Sequence, residues 1–266
     1  MSFRQQHNTT MKLTLWIFIL LATCPLYETS KSALRIYKGQ PEQEGRFPYI
    51  VSMIDNYKNY LIRVCTGSLI RREYVLTAGH CLSDKLEFVQ FDEMNIAPSR
   101  STKKRRVLEM LRQPNYYKTK KSLWLNDIGV VRVNPIEVRT YGHLAPVNFI
   151  LTIGHPVTLA GFGKNLRDNN TFEQRNIRQL LTGEGILTEC VNEIKVKIPE
   201  GFHMNYLCVD PQFNRMNHIM SGDAGGPLLY DDQIIGVASQ VYLRKGVSVY
   251  TSINRQLLWI RYLLNI

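Results

Sequence analysis

The sequence predicts an all-β fold, a barrel or a sandwich, ended by one C-terminal helix. Three observations carry this. Short runs rich in β-branched and aromatic residues recur from about residue 46 onward. Polar turn residues separate them. Only the stretch 254–266 shows apolar residues at helical spacing.

The first 24 residues stand apart from that pattern. Leu13 to Cys24 reads LTLWIFILLATC, with Arg4 and Lys12 before it. An apolar run of this length falls short of the roughly 20 residues that span a bilayer. A positive start, a short apolar centre and small residues after it form a secretory signal peptide. The expectation is a leader over 1–24 and a secreted, extracellular product with no membrane span.

The strands follow in order. Runs at 47–53 (FPYIVSM), 60–70 (YLIRVCTGSLI) and 74–78 (YVLTA) come first. IGVVRV (128–133) and PVTLAGFG (156–163) come next, then PLLY (227–230) and QIIGVAS (233–239). Many short strands with turns between them build barrels or sandwiches. At the end, Leu257, Trp259, Ile260, Leu263 and Leu264 recur at near-helical spacing, and Ser252 or Asn254 offers a cap.

The chain has 266 residues, enough for one large domain or two compact ones. Its 44% hydrophobic and 21% charged residues exclude wholesale disorder. Cys24 falls in the leader, which leaves Cys65, Cys81, Cys190 and Cys208. An even count in a secreted chain implies disulfides, and four cysteines allow three pairings.

Three short motifs occur in order. They are Thr77-Ala78-Gly79-His80-Cys81, Asn126-Asp127-Ile128-Gly129-Val130 and Gly222-Asp223-Ala224-Gly225-Gly226-Pro227. Together they resemble the trypsin-like (chymotrypsin-type) serine peptidases. Arg35-Ile36-Tyr37-Lys38-Gly39 is similar to that family's activation site, and Trp259-Ile260 to its terminal helix. The resemblance implies two packed six-stranded antiparallel β-barrels with a cleft between them. It places a propeptide at 25–35, barrel one at about 36–140, barrel two at about 141–253 and the helix at 254–266. It also implies the pairings Cys65–Cys81 and Cys190–Cys208.

By the same resemblance, His80 is the base, Asp127 its orienter, and Gly222, Asp223 and Ala224 the oxyanion loop. A hydroxyl attacks a carbonyl only when a base takes its proton. The nucleophile should stand where Ala224 stands, and a methyl group cannot act as one. In triad enzymes generally, loss of the serine costs about 10⁶ in kcat. The expectation is an inactive homologue that binds proteases, inhibitors or cascade substrates. An active endopeptidase is the rival reading, and Ser221 is a weak substitute nucleophile at the rim. His218, Ser239, Val241 and Ser248 occupy the positions of the family's primary pocket and narrow it. Cleavage after Arg35 would free the Ile36 amine to pair with Asp223.

The formal net charge is +11. Residues 100–121 hold nine Lys or Arg against one Glu. With the excess of three in residues 1–35, that stretch accounts for the whole surplus. Lys103, Lys104, Arg105 and Arg106 form its densest part and suggest a docking patch for an acidic protein or a sulfated glycan. Charge this concentrated points away from nucleic acid. Val89 to Pro98 offers only Asp92 and Glu93, so no bound metal and no cofactor is expected. Asn169-Asn170-Thr171 is a glycosylation sequon at Asn169.

Overall fold

The computed structural model describes residues 36–265 except 38, 44, 164–176 and 212–216. Arg35 and Asn169 therefore lie outside the described residues, as does the leader.

A two-residue strand β1 (Gln40–Pro41) precedes the first barrel. That barrel starts with β2 (Ile50–Tyr57), β3 (Tyr60–Arg71), β4 (Tyr74–Thr77), β5 (Leu86–Gln90) and β6 (Lys104–Arg112). A short pair follows, β7 (Tyr117–Lys118) and β8 (Trp124–Leu125), and β9 (Gly129–Val133) completes the barrel. It closes in the order β2-β3-β4-β9-β6-β5, antiparallel throughout. The second barrel uses β10 (Pro156–Gly161), β11 (Leu181–Thr188), β12 (Tyr206–Pro211), β13 (Pro227–Tyr230), β14 (Gln233–Tyr242) and β15 (Val247–Ser252). Its order is β11-β10-β13-β14-β15-β12, and pairing of β11 with β12 closes it.

Two hairpins show how local sequence sets register. Lys58 and Asn59 both take positive φ (49° and 68°) between β2 and β3, which pair Tyr57 with Tyr60. Asp231 and Asp232 do the same (49° and 58°) between β13 and β14. Two left-handed residues in succession match the right-handed strand twist, and Asn and Asp tolerate them best among residues with a side chain.

Two large apolar clusters fill the barrels, and the first also takes in Phe162, Leu229, Ile234 and Val237 from barrel two. Val51, Leu69, Val75, Val89 and Val131 are in the first, and Leu159, Leu207, Leu228 and Ile235 in the second. The disulfides Cys65–Cys81 and Cys190–Cys208 are both formed, as the resemblance implied.

Three expectations need correction. Residues 36–41 belong with barrel two, not barrel one. Gln40 pairs with Thr182 and Pro41 with Leu181, while Ile36 is fully buried in the second core. An apolar side chain goes where it loses the most water-exposed area. The C-terminal helix spans Leu257–Leu264 and begins later than residue 254. Ile253 to Gln256 forms a turn, and the buried Gln256 amide donates to Asn126 Oδ1. Ile260 and Leu264, one turn apart, pack into the core of barrel one. Finally, nine of the 22 residues of the basic stretch, which its charge would mark as a solvated loop, form strand β6. It fits between β5 and β9, which satisfies backbone groups that a loop would leave to water.

Gly225 takes φ +83°, and an added Cβ would lie 2.2 Å from both Thr66 O and Thr77 Oγ1. Gly154 has a similar φ of +85° with nothing within 4 Å. Gly225→Ala should lower unfolding free energy by about 3 kcal/mol or more, and Gly154→Ala by about 1 kcal/mol. Urea unfolding of both variants checks this. Equal losses would mean that the crowding at Gly225 carries no weight.

Candidate active site

His80 sits in a single 3-10 turn, Gly79–Cys81, just past the end of β4. The turn is pinned from both sides. The Cys65–Cys81 disulfide ties it to β3. Arg112 Nε donates to Gly79 O at 2.9 Å, and its Nη2 donates to Leu82 O.

Asp127 lies between β8 and β9 with no solvent exposure. Its Oδ1 accepts the His80 backbone N–H at 2.9 Å, and its Oδ2 lies 2.7 Å from His80 Nδ1. Ser239 Oγ donates to Oδ2 at 2.5 Å, and Thr251 Oγ1 donates to the Asp127 carbonyl at 3.1 Å. His80 belongs to barrel one, and Ser239 and Thr251 to barrel two. One buried carboxylate therefore joins both barrels. A carboxylate that carries its charge only accepts, so a hydrogen bond to it at this distance takes the proton from His80 Nδ1.

The neighbouring Asn126 takes φ +47°. Its amide donates to Asn115 O and accepts from Asn205 and Gln256. These bonds hold the turn that delivers Asp127.

The third motif forms an elbow against β3. Thr66 N donates to Ala224 O at 2.8 Å, and Thr66 Oγ1 donates to Gly222 O at 2.9 Å. Thr66 Oγ1 also accepts the Phe162 N–H, and Thr66 O accepts from Thr77 Oγ1. Asp223 is fully buried. Its carboxylate accepts the N–H groups of Gly163 (2.6 Å) and Met220 (2.8 Å).

A cleft of about 650 Å³ collects these pieces. His80, Gly222, Ala224, Ser239, Val241 and Ser221 all line it. Ala224 thus presents a methyl group to the space that His80 faces. His218 and Ser248, expected in the primary pocket, do not line this cleft. Ser248 is fully buried, and its Oγ accepts the Ile219 N–H at 3.1 Å. His218 is nearly buried and stacks on Tyr37 at 4.8 Å between ring centroids. The pocket positions are filled by packing and hydrogen bonds instead of lining the cleft.

Sequence reasoning missed an aromatic wall. The ring of His80 stacks on Trp124 (5.6 Å, 15° apart), and Trp124 stacks on Tyr116 (5.4 Å, 11°). Lys118 Nζ sits 4.7 Å from the Trp124 centroid, and the Arg112 guanidinium 4.9 Å from that of Tyr116. Burial, with the Asp127 charge second, pushes the Tyr116 hydroxyl up to about 12. Trp124, three residues before Asp127, was the available signal. Thr66 and Asn126 gave none, because their roles are backbone contacts across the fold.

Cys65, His80 and Cys81 bring three ligand-type atoms within 4.8 Å of one another. Both sulfurs are in the disulfide, so they offer no thiolates to a metal. The four cations of 103–106 are drawn to local partners. Lys104 Nζ donates to Ser101 O, Arg105 Nε to Pro135 O, and Arg106 lies 3.7 Å from Glu87. Lys103 and Arg105 lie over Phe91. Strand alternation sends adjacent side chains to opposite faces, so the four do not form one surface.

Comparison with known proteins agrees with this architecture. The family model described as Trypsin matches residues 36–260. Mast cell protease 2 of Meriones unguiculatus is 30% identical over 82% of this chain and 85% of its own length. Trypsin of Xenopus laevis is 26% identical over 93% of this chain and 96% of its own. The solved structure of neuropsin, a serine protease expressed in the limbic system of mouse brain, superposes with a TM-score of 0.67. It covers 85% of this chain and 98% of its own at 21% identity, which speaks to the fold alone. The match across both barrels and all three motifs places the chain in the trypsin family of serine peptidases.

Proposed function

We propose that the protein is a secreted, catalytically inert trypsin homologue that acts by binding in an extracellular proteolytic cascade. One observation carries this. Ala224 supplies only a methyl group at the elbow facing His80, where acyl transfer needs a nucleophile. His80, held by Asp127, could accept a proton, but Ala224 has none to give. Without the nucleophile, hydrogen-bonding groups and binding leave only about 10³–10⁴ of acceleration over water. His218 and Ser248, both buried and outside the lining of the cleft, fit the same reading. Partners in this reading are proteases, their inhibitors or cascade substrates. The leader ends near residue 24, and 25–35 is a short propeptide.

A fluorophosphonate probe tests the reading. It forms a bond from an activated serine Oγ to phosphorus and expels fluoride. The native protein, processed at Arg35-Ile36, should not label, and Ala224→Ser should. Labelling of the native protein would overturn the inert reading. If Ser221→Ala then abolished that labelling, Ser221 would be the nucleophile.

Processing itself gives a second test. By the family resemblance the freed Ile36 amine would pair with the Asp223 carboxylate; both residues are buried, and such a pair stabilises only when both charges are present and well hydrogen-bonded. N-terminal sequencing of the secreted protein should read Ile-Tyr-Lys-Gly. A sequence that starts anywhere within 25–35 contradicts this.

A further inference from the structure

A separate groove of about 290 Å³ lies between residues 117–121 and residues 196–199. Tyr117, Lys120 and Lys121 form one wall, and Val196, Lys197 and Pro199 the other. Lys121 Nζ donates to Val196 O at 2.7 Å, which ties the walls together. Lys118, next to Tyr117, lies over Trp124, the ring on which His80 stacks. Among the described residues, Lys118, Lys120, Lys121 and Lys197 make no ion pair, and no acidic residue lines the groove.

The ammonium groups of Lys120, Lys121 and Lys197, which line the groove with no carboxylate among its walls, create a local positive potential. An anionic ligand would relieve this. The groove is also apolar in part. Tyr117 is 48% exposed and Val196 64% exposed. A glycan could neutralise the lysines but would leave those apolar walls wet. An extended polypeptide that alternates carboxylates with apolar side chains satisfies both, since successive side chains point to opposite sides.

We propose that this groove docks an acidic, partly apolar polypeptide segment of a partner protein. The site differs in place from the stretch 103–106, none of whose residues lines the groove. It does not depend on Ala224 being inert, so either reading can fail without the other.

The test uses the full secreted protein and a fluorescein-labelled dodecapeptide of alternating Glu and Leu, read by anisotropy. Binding should weaken as salt rises. Lys120→Glu/Lys121→Glu/Lys197→Glu should weaken it by about 30-fold, roughly 2 kcal/mol. Lys103→Glu/Lys104→Glu should change it by less than about threefold. Near-UV circular dichroism confirms that both variants keep their tertiary packing. A Glu/Ser peptide of equal charge should bind about tenfold more weakly than the Glu/Leu probe. Unchanged affinity in the triple variant would overturn the proposal. So would a heparin hexasaccharide that binds more tightly than the peptide and is insensitive to Tyr117→Ser/Val196→Ser, since that is the glycan outcome.

Discussion

A carboxylate with no solvent exposure needs hydrogen-bond donors around its oxygens, and Asp127 takes them from both barrels. Burying such a charge is costly unless its partners are complete. Its partners come from the turn after β4 and from β14, while its own carbonyl is held from β15. Removing any of them would leave a buried acceptor short of a donor. The requirement therefore fixes more than one side chain. It sets how the barrels meet, where the turn carrying His80 lies, and which face of the imidazole is open to the cleft.

The elbow around Ala224 depends on a different set of bonds. Thr66 holds it through Gly222 and Ala224 carbonyls, and Asp223 gathers the Gly163 and Met220 amides beneath it. None of these contacts uses the side chain at 224. That separation makes the inert reading physically reasonable. The framework that would orient a nucleophile is stabilised by groups other than the nucleophile, so its loss need not loosen the site. Ser248 and His218 are likewise engaged by the protein's own backbone and rings.

Much of this was legible in the sequence, and the limits have physical causes. Strands with apolar, β-branched runs, such as Pro227–Tyr230, announce themselves. Strand β6 does not, because its outer face is basic and reads as a solvated stretch. Assigning 36–41 to barrel one followed chain order, whereas the pairing of Gln40 and Pro41 with β11 is a long-range event that no local pattern encodes. His80, Asp127 and Ala224 were readable from their motifs. The stack of Trp124 on His80, the Thr66 contacts and the lysine groove were not, because each joins residues distant in sequence or pointed by tertiary packing.

The central claim is that the Asp127–His80 pair is fully assembled in a protein whose elbow carries a methyl group. Proton NMR of the processed native protein addresses it directly. A proton on Nδ1 held 2.7 Å from Asp127 Oδ2 and shielded from solvent should give a far-downfield resonance. The account predicts that resonance in the native protein, its persistence in Ala224→Ser, and its loss in folded His80→Ala. A folded native protein without it would contradict the account.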